Sequence, residues 1–245
     1  MKPLELIGVE GLPEIRPGDD LGELIASRSN FKMGDVLVVA QKVVSKSEGR
    51  LVNLETIEAS SEALRIASDL IADPDPRMVQ VILDESVRVL RSHRVLITET
   101  RHGFVCANGG IDHPNVPGDN EVTLLPEDPD ASANRMRTRL REMSGVEVGV
   151  IVSDTFGRPW RLGILNVALG VAGLPALLDL RGTLDDGGKP LQATVLAIAD
   201  EIAGAAGLVM GKTARTPAVI VRGLHLLGSG SGRELIRPAA EDLFR

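Results

Sequence analysis

A buried strand is predicted by Val146-Glu-Val-Gly-Val-Ile-Val152, which leads directly into Ser153-Asp-Thr-Phe-Gly-Arg-Pro-Trp-Arg161. The first part is a near-continuous apolar run rich in valine, which is typical of a strand covered on both faces. Glycine and proline in the second part predict that the strand breaks close to Asp154. A carboxylate in a loop at a strand end is a common position for functional groups, because the scaffold holds it rigidly.

Other parts of the chain carry strand and helix patterns in irregular order. Strands are predicted at residues 4–10, 35–40 and 218–221, and helices at residues 130–144, 162–171 and 192–210. Because the order lacks strict strand–helix–strand alternation, we predict an α+β fold rather than a doubly wound sheet. We predict a single domain over residues 1–245, with two interlocked lobes inside it as the alternative.

Composition excludes several classes of partner. The net charge is -7 and aromatic residues make up only 2% of the chain, with no tyrosine. An acidic protein with few aromatic side chains is poorly suited to binding phosphate backbones or stacking bases, so we expect no nucleic-acid partner. No apolar run is long enough to span a bilayer. Cys106 is the single cysteine, which fits a reducing compartment, and we expect a cytoplasmic protein.

A second carboxylate occupies an equivalent position. The segment Cys106-Ala-Asn-Gly-Gly-Ile-Asp-His-Pro-Asn115 follows a predicted strand and places Asp112 where the strand breaks. Either Asp112 or Asp154 taken alone could simply cap a turn. Together with Thr155 and Asn115 they form an oxygen-rich set that suits magnesium or manganese beside a phosphorylated ligand. Lysine and arginine interleaved with such ligands, as in the cationic segment at residues 45–50, are what phosphoryl transfer requires.

Two glycine-rich segments do not carry known nucleotide-binding motifs. Gly211-Lys-Thr213 resembles the end of a Walker A motif, but Gly207 leaves three residues between the glycines where the motif needs four. The preceding segment also has a helix pattern where the motif requires a strand, so we reject a P-loop fold. Residues 228–232 lack the spacing of a dinucleotide fingerprint, which excludes a Rossmann site there.

Five blocks of the sequence, in order over nearly the whole chain, resemble the family of coenzyme F-420:L-glutamate ligases. They are Gly11-Leu-Pro-Glu-Ile-Arg-Pro-Gly-Asp-Asp20, Val38-Val-Ala-Gln-Lys-Val-Val-Ser-Lys-Ser-Glu-Gly-Arg50, Asn108-Gly-Gly-Ile-Asp-His-Pro-Asn-Val116, Val152-Ser-Asp-Thr-Phe-Gly-Arg-Pro-Trp-Arg161 and Pro217-Ala-Val-Ile-Val-Arg-Gly223. The resemblance implies an unusual α+β fold that forms an intertwined homodimer.

The resemblance also implies an activity. GTP would phosphorylate a carboxylate of the deazaflavin F-420 precursor, and the amine of L-glutamate would then attack the acyl phosphate. Repetition would build a γ-glutamyl tail. Two divalent cations, magnesium or manganese, and potassium would assist. The number of glutamates added and the preference among nucleotides stay open.

The same resemblance implies roles for individual residues. The nucleotide would contact Leu12, Pro13, Glu14, Ile15, Gln41, Lys46, Asn115, Gly211 and Lys212. Asp112 and Asp154 would bind one metal, Thr155 would help to bind the second, and the catalytic set would be Asp112, Asp154 and Lys46. Some members of the family carry an acidic residue where Lys212 stands, which leaves the second metal's ligand set open.

Two other functions remain as alternatives to the implied ligase. One is a different metal-dependent carboxylate kinase or ligase, and the other is a nucleotide-binding module without turnover. The first alternative differs from the implied ligase in the carboxylate acceptor on which nucleotide hydrolysis depends. A protein of the second kind would bind GTP but would not release GDP in response to glutamate.

Overall fold

A computed structural model describes residues 3–112 and 120–242 of the chain. Its α-helices are α1 (Leu21–Ala26), α2 (Gln41–Ser47), α3 (Ser61–Asp69), α4 (Pro76–Asp84), α5 (Pro129–Ser144) and α6 (Ile198–Met210). Its strands are β1 (Glu5–Gly8), β2 (Val36–Ala40), β3 (Leu51–Asn53), β4 (Ser86–Ser92), β5 (Leu96–Thr100), β6 (Val105–Ala107), β7 (Glu121–Thr123), β8 (Gly149–Arg158), β9 (Arg161–Ala172), β10 (Leu178–Asp179), β11 (Val195–Leu196) and β12 (Ala218–Arg222). This mixture confirms the predicted α+β class.

A five-stranded sheet organises the larger part of the molecule, in the order β1-β12-β2-β8-β9. β2 and β8 are parallel, and the other neighbours in this sheet are antiparallel. The apolar runs of the central strands are buried on both faces, as the sequence predicts. Val150 and Val152 face a core shared with α1 and α5, whereas Ile151 faces a core shared with α6.

The segment after Asp154 differs from its prediction. β8 does not break there but continues to Arg158, and residues 162–171, predicted as a helix, lie in strand β9. β9 runs back along β8 as a long antiparallel hairpin. A continuous apolar run has no period that distinguishes a buried strand from a buried helix, and the pairing partner β8 decides the outcome. The helix predicted at residues 192–210 begins only at Ile198.

A second core lies in residues 51–124, where α3 and α4 pack against short sheets. One sheet has the order β4-β5-β6 and the other pairs β3 with β7. Its buried side chains include Leu54, Ile66, Val79, Leu96 and Val122. β7 is followed by Leu124 and Leu125, which lead the chain back towards α2. The division into domains stays a prediction.

No helix within the described ranges is both long enough and apolar enough to cross a bilayer.

Gly170 is required by close packing of β9 on the start of α5. A Cβ atom at this position would lie 2.1 Å from the Pro129 carbonyl oxygen, whereas a Cβ at Gly157 on β8 would meet nothing within 4 Å. We therefore expect Gly170→Ala to lower the unfolding free energy by about 1–3 kcal/mol, as overpacked cores do. Gly157→Ala is the matched control and should change it by less than about 0.5 kcal/mol. Urea unfolding measures both, and equal effects would contradict the packing.

Candidate functional site

The parallel pairing of β2 with β8 creates the candidate site. In this register Ala40, the last residue of β2, lies opposite Ser153, one residue before Asp154. Helix α2 begins at Gln41 with no intervening loop. The first turn of α2 and the Asp154 region are therefore held at the same end of two parallel strands, which is where α/β sheets place ligand sites.

Asp112 and Asp154 lie close together at this end of the sheet. The Asp112 backbone exchanges two hydrogen bonds with Thr123, at 3.2 and 2.9 Å, and its side chain is 50% exposed. Burial, followed by the charge of Asp112, raises the pKa of the Asp154 carboxyl to about 6. A buried carboxyl that is costly to ionise beside a second carboxylate favours a cation between the two.

Two lysines lie against this pair. Lys42 Nζ is 3.2 Å from Asp112 Oδ2, and Lys212 Nζ donates a 2.8 Å hydrogen bond to Thr155 Oγ1. Both ammonium groups favour the ionised form of Asp154 and so oppose the rise in its pKa. The two acidic charges of the cluster are thus matched by two basic ones.

Sequence reasoning missed Lys42. The signal was its distance of four residues from Lys46, which places both on neighbouring positions of one helix face. Residues 45–50 were expected to be a flexible cationic segment, but residues 41–47 form α2, and Arg50 is held by Glu85 and by the Leu125 carbonyl oxygen.

Lys46 connects α2 to the predicted nucleotide segment at residues 12–15. Its Nζ is buried and lies 2.6 Å from Glu14 Oε1. Ile15 is buried in the core, and Leu12 packs against the same core, whereas Pro13 and Glu14 are exposed. The structure brings this segment beside α2, so it can line a ligand that reaches the carboxylates.

Gln41 lies within the site but is turned inward. Its side chain is 1% exposed, and its Nε2 donates to Ser45 Oγ at 2.6 Å and to the Leu124 carbonyl oxygen at 2.9 Å. In this arrangement Gln41 fixes α2 against the chain that follows β7. Its predicted contact with GTP stays a prediction, and the predicted contact of Asn115 lies outside the described residues.

Gly211 and Lys212 follow α6 directly. Gly211 ends the helix with a positive φ of 54°, and Lys212 then extends to Thr155. The helix before Gly211 confirms that this is not a P-loop, which would need a strand there. Gly211 and Lys212 therefore connect α6, which packs on one face of the five-stranded sheet, to the candidate site.

The donor set fits one hard divalent cation. Asp112 and Asp154 offer carboxylate oxygens and Thr155 a hydroxyl, and magnesium commonly binds through one or two carboxylates plus water and phosphate oxygens. In residues 3–112 and 120–242 there is no group of three or more His, Cys, Asp or Glu side chains that could hold a metal.

Cys106 is not a nucleophile of this site. The residue is buried, and burial, followed by the charge of Asp154, raises the pKa of its thiol to about 12. A thiol that stays protonated at neutral pH neither attacks nor binds a metal well.

The raised pKa of Asp154 makes stability depend on pH in a defined direction. Its ordinary value is 3.8 and its folded value about 6, so ionisation opposes folding and stability is lost as pH rises through about 6. We expect Asp154→Asn, measured in EDTA, to raise the unfolding free energy by about 2–3 kcal/mol at pH 7.5. At pH 4 the gain should nearly vanish, since wild-type Asp154 is then protonated. An equal gain at both pH values would contradict the assignment.

Comparison with known proteins identifies the family of this chain. The family model described as F420-0:Gamma-glutamyl ligase matches residues 11–223. "Coenzyme F420:L-glutamate ligase" of Methanothermobacter thermautotrophicus is 47% identical over 252 residues, covering 99% of each chain. The protein of the same name from Methanopyrus kandleri is 46% identical, and the match covers 100% of each chain. The one from Haloarcula marismortui is also 46% identical, and the match covers 99% of this chain and 96% of the relative. The chain therefore belongs to the F420-0:gamma-glutamyl ligase family.

Proposed function

We propose that this protein is a coenzyme F420:L-glutamate ligase that uses GTP to join L-glutamate to the F-420 precursor. The observation that carries the proposal is the full-length similarity to ligases of that name, at 46–47% identity. The cluster of Asp112, Asp154, Lys42 and Lys212 supports it, because a site of paired carboxylates and ammonium groups suits phosphoryl transfer.

The proposed reaction has two steps. A carboxylate oxygen of the precursor attacks the γ-phosphorus of GTP, the bond from that phosphorus to the β,γ-bridging oxygen breaks, and GDP leaves. The neutral amine of glutamate then attacks the acyl carbon, the C–N bond forms, the C–O bond to phosphate breaks, and the amine loses a proton. Phosphate leaves, and the product is an amide.

Asp112 and Asp154 would hold the divalent cation, magnesium or manganese. When bound, it would offset the negative charge that develops on the transferred phosphate group. Thr155 lies next to this pair and is oriented by Lys212. A second divalent cation and potassium, which the family resemblance implies, stay predictions.

The remaining residues of the site would position the nucleotide. Lys46 is a buried cation whose only charged partner in the described part of the chain is Glu14, which is exposed at the site. A phosphate oxygen that displaced Glu14 would gain a fixed ammonium group. The segment at residues 12–15 would then lie along the nucleotide, as predicted.

We also infer a homodimer. The outer half of the β8–β9 hairpin exposes large apolar side chains, among them Leu162 at 98% and Ile164 at 59%. Leu208, on the helix α6 that packs against β9, is 83% exposed. Apolar surface of this kind, concentrated on one projecting hairpin, is typical of an interface. A second copy of the chain would cover it with the same surface, as two-fold dimers do.

Incubation of the protein with GTP, a manganese salt, L-glutamate and the F-420 precursor tests the ligase proposal. We expect a product heavier by one glutamyl unit, detected by mass spectrometry, together with GDP in equal amount. GDP release that depends on another carboxylate acceptor would point to a different carboxylate kinase or ligase. Nucleotide binding without any acceptor-dependent GDP release would leave only a binding module.

Variants of the carboxylates refine the same assay. Asp112→Asn and Asp154→Asn should each lose at least about 100-fold in turnover, because each removes negative charge that would hold the cation. Asp69→Asn, an exposed carboxylate on α3, is the matched control and should keep full turnover. Retained activity in either site variant would remove that residue from the proposed metal site.

Light scattering after gel filtration tests the dimer. We expect the wild-type protein to have twice the 26.0 kDa mass of the chain. Leu162→Glu combined with Ile164→Glu should produce monomers, because charges on a buried apolar interface are costly to desolvate. Leu64→Glu, at a 52% exposed position on α3, should leave the mass unchanged. A monomeric wild-type protein would contradict the inference.

A further inference from the structure

The charges around Asp112 and Asp154 balance without any ligand. Lys42 Nζ lies 3.2 Å from Asp112 Oδ2. Lys212 Nζ donates a 2.8 Å hydrogen bond to the hydroxyl of Thr155, the residue after Asp154. Each ammonium group thus contacts one residue of the proposed cation site. A divalent cation and an ammonium group compete for the same oxygens and repel each other at short range.

The two lysines differ from Lys46 in their freedom to move. The Lys46 side chain is 8% exposed and is confined by its surroundings, whereas Lys42 is 30% exposed and Lys212 is exposed. A lysine ammonium on a solvent-accessible four-carbon stem can change partners by rotation of the side chain alone. Lys42 can therefore leave Asp112, and Lys212 can leave Thr155, without a change in the backbone.

Phosphate groups offer the alternative partners for these lysines. Lys42 is on the first turn of α2, and Lys212 follows the end of α6, so the two ammonium groups approach the carboxylate pair from different elements. A polyphosphate placed between them and bridged to the carboxylates by a cation would provide oxygens for both. The nucleotide would then draw the ammonium groups away from the cation site, and the cation would reduce the repulsion between the carboxylates and the phosphates.

We propose that Lys42 and Lys212 are built-in counter-ions that neutralise Asp112 and Asp154 before ligands bind and transfer to phosphate oxygens when a cation–nucleotide complex enters. The consequence is cooperative binding: the cation binds weakly without nucleotide and strongly with it. This inference rests on the proposed function, since it takes a divalent cation and a nucleotide as the ligands. It assigns Lys42 a role at the site and gives Lys212 a role beyond its predicted contact with the nucleotide.

Electron paramagnetic resonance of free Mn²⁺ measures the coupling directly, with and without GDP. In the absence of GDP, Lys42→Met combined with Lys212→Met should bind Mn²⁺ about tenfold more tightly than wild type, because the competing charges are gone. GDP should then tighten Mn²⁺ binding by about tenfold or more in wild type and by much less in the double variant, within the usual range of coupling between sites. Reciprocity requires that Mn²⁺ tighten GDP binding by the same factor.

Charge-conserving variants provide the control. Lys42→Arg combined with Lys212→Arg keeps both charges and should behave as wild type in the measurement without GDP. Each single methionine variant should show an intermediate effect, which preserves the test if the double variant does not fold. A methionine variant that binds Mn²⁺ no more tightly than wild type without GDP would overturn the inference, as would absence of Mn²⁺ binding by every protein with and without GDP.

The outcome is separable from that of the ligase assay. If the Mn²⁺ pattern is found but no glutamyl product forms from the precursor, the proposed function fails and the counter-ion role stands. If product forms but the methionine variants bind Mn²⁺ as wild type does, the counter-ion role fails and the ligase proposal stands.

Discussion

The parallel pairing of β2 with β8 is the constraint on which the rest of the site depends. Its register places the end of β2 opposite Ser153, so that α2 starts beside Asp154. Both strands are apolar on both faces and are covered by cores on each side of the sheet. A one-residue slip would turn Asp154 to the opposite face and bring Ser153 or Thr155 in its place. Burial of the valines therefore also fixes the position of the carboxylate.

The site concentrates charge at the end of this sheet. Asp154 is costly to ionise because it is largely buried and lies near Asp112, and the two lysines offset part of that cost. A buried ionised carboxyl lowers the stability of the folded state. Functional sites commonly hold such unfavourable groups, and the rest of the protein keeps them in place. A divalent cation would compensate the two carboxylates better than either lysine, because it binds oxygens of both carboxylates and of a phosphate group at once.

Much of this fold follows from local sequence patterns. The central strands were predicted from their apolar runs, and α5 and β12 were predicted almost to their observed bounds, because these signals act over a few residues. Strand β9 was not predicted, since the mostly apolar segment at residues 162–171 suits a buried helix equally well. The pairing that decides between them is a tertiary contact with β8.

The site was predictable only in part. Asp112 and Asp154 stood out singly because each follows a predicted strand, but their proximity is a tertiary contact between distant segments and has no signature in their spacing. The family resemblance supplied that link. Lys42 escaped notice because α2 begins without a capping side chain directly after β2, so the helix had no start signal. Its pairing with Asp112 joins two segments about 70 residues apart, which local patterns do not encode.

The proposed cation site can be tested with a crystal structure of the protein grown with GDP and Mn²⁺, in which anomalous scattering locates the manganese. We expect a manganese peak within bonding distance of oxygens of both Asp112 and Asp154 and of a phosphate oxygen of GDP. We also expect the ammonium groups of Lys42 and Lys212 on phosphate oxygens. Manganese bound elsewhere, with Lys42 still paired to Asp112, would contradict the proposed site.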